Sequence, residues 1–265
     1  MTWELIIRSF AVLRKDPKLM LFPALSGMFG LALVALCFYS PWSDAVLNRP
    51  PNSSSIGVVG YGKLFLVYCV FNIAVVFCNC ALAACVQIRF AGGVPTLADG
   101  WSRAATRIRP IALWGLLSAT FGVLLRAIGN RLGFLGEVAT WLIGFAWELV
   151  TYFMVPVLVI EELGVRGSIR RSSGLLRGSW GEQLVVNLSL GWIFVLFAIP
   201  GVVLGVLGHT ASLGPVPAVL YFTLLIVVLT AVQGIFEVAL YRYAVSGEPP
   251  EGYAAPMLNG AFSRR

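Results

Sequence analysis

Three features of this chain point to an all-α, polytopic membrane bundle. Of 265 residues, 58% are hydrophobic and only 12% are charged, about half the charged share of a typical soluble domain. The mean hydropathy is +0.86. Apolar runs of span length recur about six times, separated by short polar or basic stretches. Too few charges remain to solvate a globular surface, so the excess apolar side chains are expected to face lipid. The chain reads as a single transmembrane domain over 1–265.

A span needs about 20 mostly apolar residues, and six segments supply them: 19–39, 64–86, 108–128, 138–160, 184–207 and 216–241. Pro200 is expected to kink the fifth or end it early. The loop 41–62, rich in Pro, Ser and Gly, is expected outside and irregular, and it carries the sequon Asn52-Ser53-Ser54. Orientation follows from Lys and Arg, because cytoplasmic loops carry their excess. With the N-terminus inside, fifteen of the nineteen are cytoplasmic, leaving Arg49, Lys63, Arg126 and Arg131 outside. Both termini are therefore expected in the cytoplasm, with the protein in the plasma (inner) membrane.

Three basic stretches precede the odd-numbered spans and resemble one another: Ser9 to Arg14 to Pro17, Ser102 to Arg107 to Pro110, and Ser172 to Arg177 to Trp180. They predict amphipathic interfacial helices near 3–15, 96–108 and 167–180, with Trp3, Trp101 and Trp180 as headgroup anchors. The unit would be an interfacial helix followed by a two-span hairpin, used three times. Arg14, Arg107 and Arg177 are the candidate contacts to headgroups or to a partner. Basic segments before spans also serve as plain anchors, which need no ligand.

The net charge of +7 sits beside hydrophobic runs, where anionic headgroups rather than nucleic acid are the expected partner. Five cysteines (Cys37, Cys69, Cys78, Cys80, Cys85) fall inside those runs, and His209 is the single histidine. That supplies no zinc set, and the odd count argues against a disulfide framework. No metal or cofactor is expected. The sequence holds no phosphate-cradling G-x-x-x-x-G-K-[ST], no H-E-x-x-H and no G-x-S-x-G.

Polar groups at membrane depth are costly and carry most of the functional information. Glu148 lies near the middle of the fourth span. The third and fourth spans are expected to form a tight hairpin turning at 130–134, with Arg126 and Glu137 as a structural ion pair at its outer end. That register sets Glu148 level with Gly115 and about one turn from the Ser118 hydroxyl, either as a neutral hydrogen-bonded group or in a polar cavity. Glu237, near the cytoplasmic end of the last span, is expected to snorkel or to pair with a basic residue. Gly201-x-x-x-Gly205 is expected to serve packing inside the bundle.

Four segments carry a resemblance: Ser9–Gly27 (SFAVLRKDPKLMLFPALSG), Trp114–Ile128 (WGLLSATFGVLLRAI), Ala146–Gly164 (AWELVTYFMVPVLVIEELG) and Ile169–Glu182 (IRRSSGLLRGSWGE). In these the chain resembles an uncharacterised family of prokaryotic six-span membrane proteins, known only as a domain of unknown function. The resemblance covers most of the chain apart from the external loop and the C-terminal tail. It implies a plasma-membrane location and no catalytic site. The expected role is a non-enzymatic scaffold, complex subunit or lipid-interacting component, with a protein partner or a second copy of the chain as the other candidate partner. The alternative is a small transporter or channel with Glu148 in a midplane polar site. An intramembrane enzyme acting on lipid ranks third, because no two acids share one depth.

Overall fold

The computed structural model describes residues 2–39, 58–176, 194–207, 214 and 216–247. Regular structure among them is entirely helical. In chain order the helices are α1 (Thr2–Lys15), α2 (Leu21–Tyr39), α3 (Val58–Phe90), α4 (Leu97–Thr106), α5 (Ile108–Val150), α6 (Met154–Ile160), α7 (Val165–Leu176), α8 (Phe194–Leu207) and α9 (Val216–Ser246), with a single 3-10 turn at Pro17–Met20. Five stretches are long and apolar enough to cross a membrane: Pro17–Leu36, Gly62–Phe90, Ile108–Gly129, Gly136–Ile160 and Val216–Ser246. A sixth apolar helix, α8, is shorter. It belongs to the expected span 184–207, whose first part lies outside the described residues, as do loop residues 41–57 with the sequon, Arg177, Trp180 and His209.

The bundle is organised around α3, which touches α2, α4, α5, α6 and α9. Seven consecutive residues of it, Cys80 to Val86, are buried. A helix buried on every side has no polar face to keep, and its Ala and Cys side chains let neighbours approach closely. Cys78, Cys80 and Cys85 are buried free thiols in this packed helix. Four neighbours each lay a glycine against α3. A Cβ on Gly30 of α2 would come within 2.5 Å of Phe71, and one on Gly100 of α4 within 2.7 Å of the Ala81 carbonyl. On Gly115 of α5 it would reach Ile73 at 2.8 Å, and on Gly234 of α9 it would reach Leu82 at 2.7 Å.

Within α5 the chain reverses at Gly133, whose φ of +60° lies in the left-handed region open to glycine. Thr140 lies over Gly129, and Leu125 lies beside Gly144. Gly133 falls inside the expected turn 130–134, but both pairs shift the limbs from the register expected of an Arg126–Glu137 pair, and Trp147 stacks on Phe121 with ring centroids 4.0 Å apart. Glu148 therefore stands near the level of Phe121 rather than Gly115. Arg126 and Glu137, both exposed, are not among the ion pairs of the described residues. The glycine sets the turn, and the two charges do not.

The second limb of α5 breaks before α6. Pro156 has no N–H, and its ring would clash with the carbonyl four residues back, that of Tyr152. The helix unwinds over Thr151–Phe153 and restarts with Pro156 in the first turn of α6, where a missing N–H costs nothing. The groups freed by the break are met from α7: Ser172 Oγ donates to the Val150 carbonyl (2.7 Å) and accepts from the Phe153 N–H (3.1 Å). Pro200 does not end its helix, since α8 runs through it, as apolar helices among other helices tolerate. Gly201 and Gly205 pack α8 onto Tyr221, Phe222 and Ala218 of α9, so that motif serves internal packing.

The short helices α1, α4 and α7 gather at the end where α3, α6 and α9 finish. Asp16 pairs with Arg89 (3.1 Å), Arg103 with Glu162 (3.8 Å), and Tyr241 donates to Glu161 (2.9 Å). Ser9 and Leu13, Gly100 and Ala104, and Ser168 and Ser172 are the buried pairs of the three helices. The serine repeat therefore fails in its second copy. Ser102 is exposed and donates to the Asp99 carbonyl, because α4 turns Gly100 toward α3 instead.

Candidate functional site

Of the intramembrane residues singled out by sequence, Ser118 and Glu148 do not meet. Ser118 donates to the Asn72 amide oxygen on α3 (3.0 Å), and Glu148 is exposed on the flank of α5. Gly115, expected to leave room beside Glu148, is the point where α5 closes on Ile73. The cause is the shifted register, which slides one limb of the hairpin past the other. No site enclosing Glu148 forms among the described residues.

Glu237 behaves differently. The basic partner expected for it is missing from the ion pairs of the described residues. It lines a partly open cavity of about 120 Å³ between α3, α6 and α9, together with Asn79, Val155, Thr230 and Gln233. The four polar side chains, Asn79, Thr230, Gln233 and Glu237, make no hydrogen bond to any protein group among the described residues. Tyr241 marks the basic end, so Glu237 lies about one helical turn, roughly 6 Å, deeper into the bundle. Among the described residues, the titratable groups within its electrostatic reach are Cys80 on α3 and Tyr152 at the helix break. The Tyr152 hydroxyl is buried and has no partner among them. Sequence reasoning singled out Glu237 and did not connect it with Thr230. The available signal was the spacing of Thr230, Gln233 and Glu237, three and then four residues apart, which lays one polar stripe along an apolar span.

The basic end is the second candidate surface. Among the described residues it holds Arg8, Arg14, Lys15, Lys18, Arg89, Arg103, Arg107, Arg109, Arg166, Arg170, Arg171 and Arg242, against Lys63, Arg126 and Arg131 at the opposite end. Arg89, Arg103 and Arg171 are in ion pairs, the last with Glu161 at 2.9 Å. Arg8, Arg14, Lys15, Lys18, Arg109, Arg166 and Arg170 are exposed. Thr96 caps α4 in a reciprocal box with Asp99. The Thr96 hydroxyl, and then its N–H, hold the Asp99 carboxyl below the usual carboxylate range.

Arg107 does not face headgroups. Its guanidinium turns inward and donates to the carbonyls of Leu163 (2.6 Å) and Leu158 (3.4 Å), which tethers α4 to the end of α6. Charge-assisted hydrogen bonds of this kind contribute about 1.5–3 kcal/mol. Arg107→Gln is accordingly expected to lower the unfolding free energy in detergent micelles by about 2 kcal/mol. Arg14→Gln, at an exposed position, is expected to change it by less than about 0.5 kcal/mol. Equal effects of the two would remove Arg107 from the structural role.

No group of three or more His, Cys, Asp or Glu is placed to hold a metal ion among the described residues. A family model described as "Family of unknown function (DUF6159)" matches residues 58–251. No curated protein and no solved structure matches the chain.

Proposed function

Because the chain belongs to the DUF6159 family, whose function is unknown, we propose its role from its own residues: a non-enzymatic membrane component that gathers anionic lipid headgroups at its basic end. The observation that carries this reading is the seven exposed Lys and Arg side chains on and around α1, α4 and α7, none of which enters an ion pair among the described residues. Near a membrane surface each such residue attracts anionic lipid by about 1 kcal/mol. The short helices would lie along the interface with these charges at headgroup level, their apolar faces on the bundle. By the same charge excess the basic end faces the cytoplasm of the plasma membrane, and both termini lie there.

The test is lipid retention. Purified from mixed phosphatidylcholine and phosphatidylglycerol, the protein is expected to carry several-fold more of the anionic lipid than the bulk mixture, read by native mass spectrometry. The combined variant Arg14→Gln, Lys15→Gln, Arg166→Gln and Arg170→Gln is expected to carry the two lipids near their bulk ratio. A wild type that already shows the bulk ratio sinks the proposal.

A further inference from the structure

The cavity beside Glu237 is independent of the headgroup surface and asks for its own occupant. Four polar side chains from two helices turn toward one space, and none is satisfied by the protein among the described residues. Hydrocarbon cannot satisfy them, and each unpaired group costs about 1–3 kcal/mol. Their chemistry narrows what fills the space. Among the described residues of the lining Glu237 supplies the one carboxyl group, and Asn79, Thr230 and Gln233 each offer an uncharged oxygen. Hard oxygen donors select hard cations, and a carboxyl that gives up its proton to one monovalent cation leaves the site neutral. A divalent ion would leave an excess charge inside the bundle. A volume of about 120 Å³ holds a small cation with water, since one water needs roughly 10–15 Å³. Gly234 keeps the site assembled. Its missing Cβ lets α9 close on Leu82, which brings Asn79 and Glu237 to the same cavity. Gln233 is exposed on the flank of α9 and forms the rim.

We propose that this chamber binds one monovalent cation, an alkali-metal ion or a small ammonium group, held by the Glu237 carboxylate and the oxygens of Asn79, Thr230 and Gln233. The full chain in lipid nanodiscs would be melted in the chlorides of sodium, potassium, methylammonium and N-methylglucamine at one ionic strength. A bound ligand stabilises by mass action, and at a hundredfold excess over its Kd the melting temperature is expected to rise by roughly 5 °C. The rise should occur in at least one small cation and be missing in N-methylglucamine, which is too large for the cavity. A response to sodium or potassium identifies a metal ion, and a response to methylammonium alone identifies an amine. Glu237→Gln is expected to abolish the rise. Asn79→Leu keeps the carboxylate and is expected to weaken the response at least tenfold in concentration. Identical melting of the wild type in all four salts overturns the proposal, leaving water as the only occupant. So does a rise that persists unchanged in both variants.

Discussion

Ser172→Ala is expected to lower the unfolding free energy by about 3 kcal/mol. The hydroxyl is the bridge across the α5–α6 break, accepting from the Phe153 N–H and donating to the Val150 carbonyl. Without it the buried Phe153 N–H and the part-buried Val150 carbonyl lose a partner, each at about 1–3 kcal/mol, where lipid or packed side chains offer no replacement. Ser168 is the internal control. It lies one turn earlier on α7, is equally buried, and its hydroxyl has no partner among the described residues. Ser168→Ala should therefore change stability by less than about 0.5 kcal/mol. Thermal melting of the two variants in the same micelle measures the difference. Equal losses would assign the effect to side-chain volume and remove the bridge from the explanation.

Gly100→Val is expected to cost about 3 kcal/mol and to release α4 from the bundle. An added Cβ would lie 2.7 Å from the Ala81 carbonyl, 2.7 Å from the Cys85 sulfur and 2.8 Å from the Phe22 ring. Two of those atoms belong to the helix at the centre of the fold, so they cannot move aside cheaply. Overpacking of this kind typically costs about 1–3 kcal/mol, and valine adds two further carbons. Gly174 on α7 has open space around it, and Gly174→Ala should leave stability unchanged or raise it by about 0.5–1 kcal/mol. Limited proteolysis around 91–107, alongside melting, checks the local prediction. Cleavage rates that match the wild type in Gly100→Val would show that α4 tolerates the larger residue.

Much of this fold was legible in the chain. Runs such as Leu64–Val86 and 216–241 contain little besides apolar residues, and they appear as helices because a span must close its backbone hydrogen bonds within itself. The cysteines of Cys78 to Cys85 were readable as part of an apolar run, although apolarity alone could not tell lipid from protein as their neighbour. The hairpin register was not legible. Gly129, Gly133 and Gly136 could each have turned the chain, and the pairing of Arg126 with Glu137 was a plausible guide that the positive φ of Gly133 overrode. Arg107 misled for a related reason. A basic residue before a span resembles an anchor, yet its carbonyl partners Leu158 and Leu163 lie far along the chain. The polar stripe of Thr230, Gln233 and Glu237 was readable by spacing. Its counterpart Asn79 belongs to another helix, so the chamber itself was not.

Apolar helices with positive charge collected next to particular spans follow from residue order alone. Those are local properties, since hydropathy, helical closure and charge position need only neighbouring residues. Long-range contacts set which helix faces meet, the register of the α5 hairpin, and that Glu237 rather than Glu148 shares a cavity with other polar groups. The reason is that lipid and protein interiors are equally apolar, so hydropathy carries no instruction about which face turns inward. That choice falls to close contacts at small residues such as Gly100, Gly115 and Gly234 and to polar partners such as Ser172, and both become visible only when distant segments are brought together.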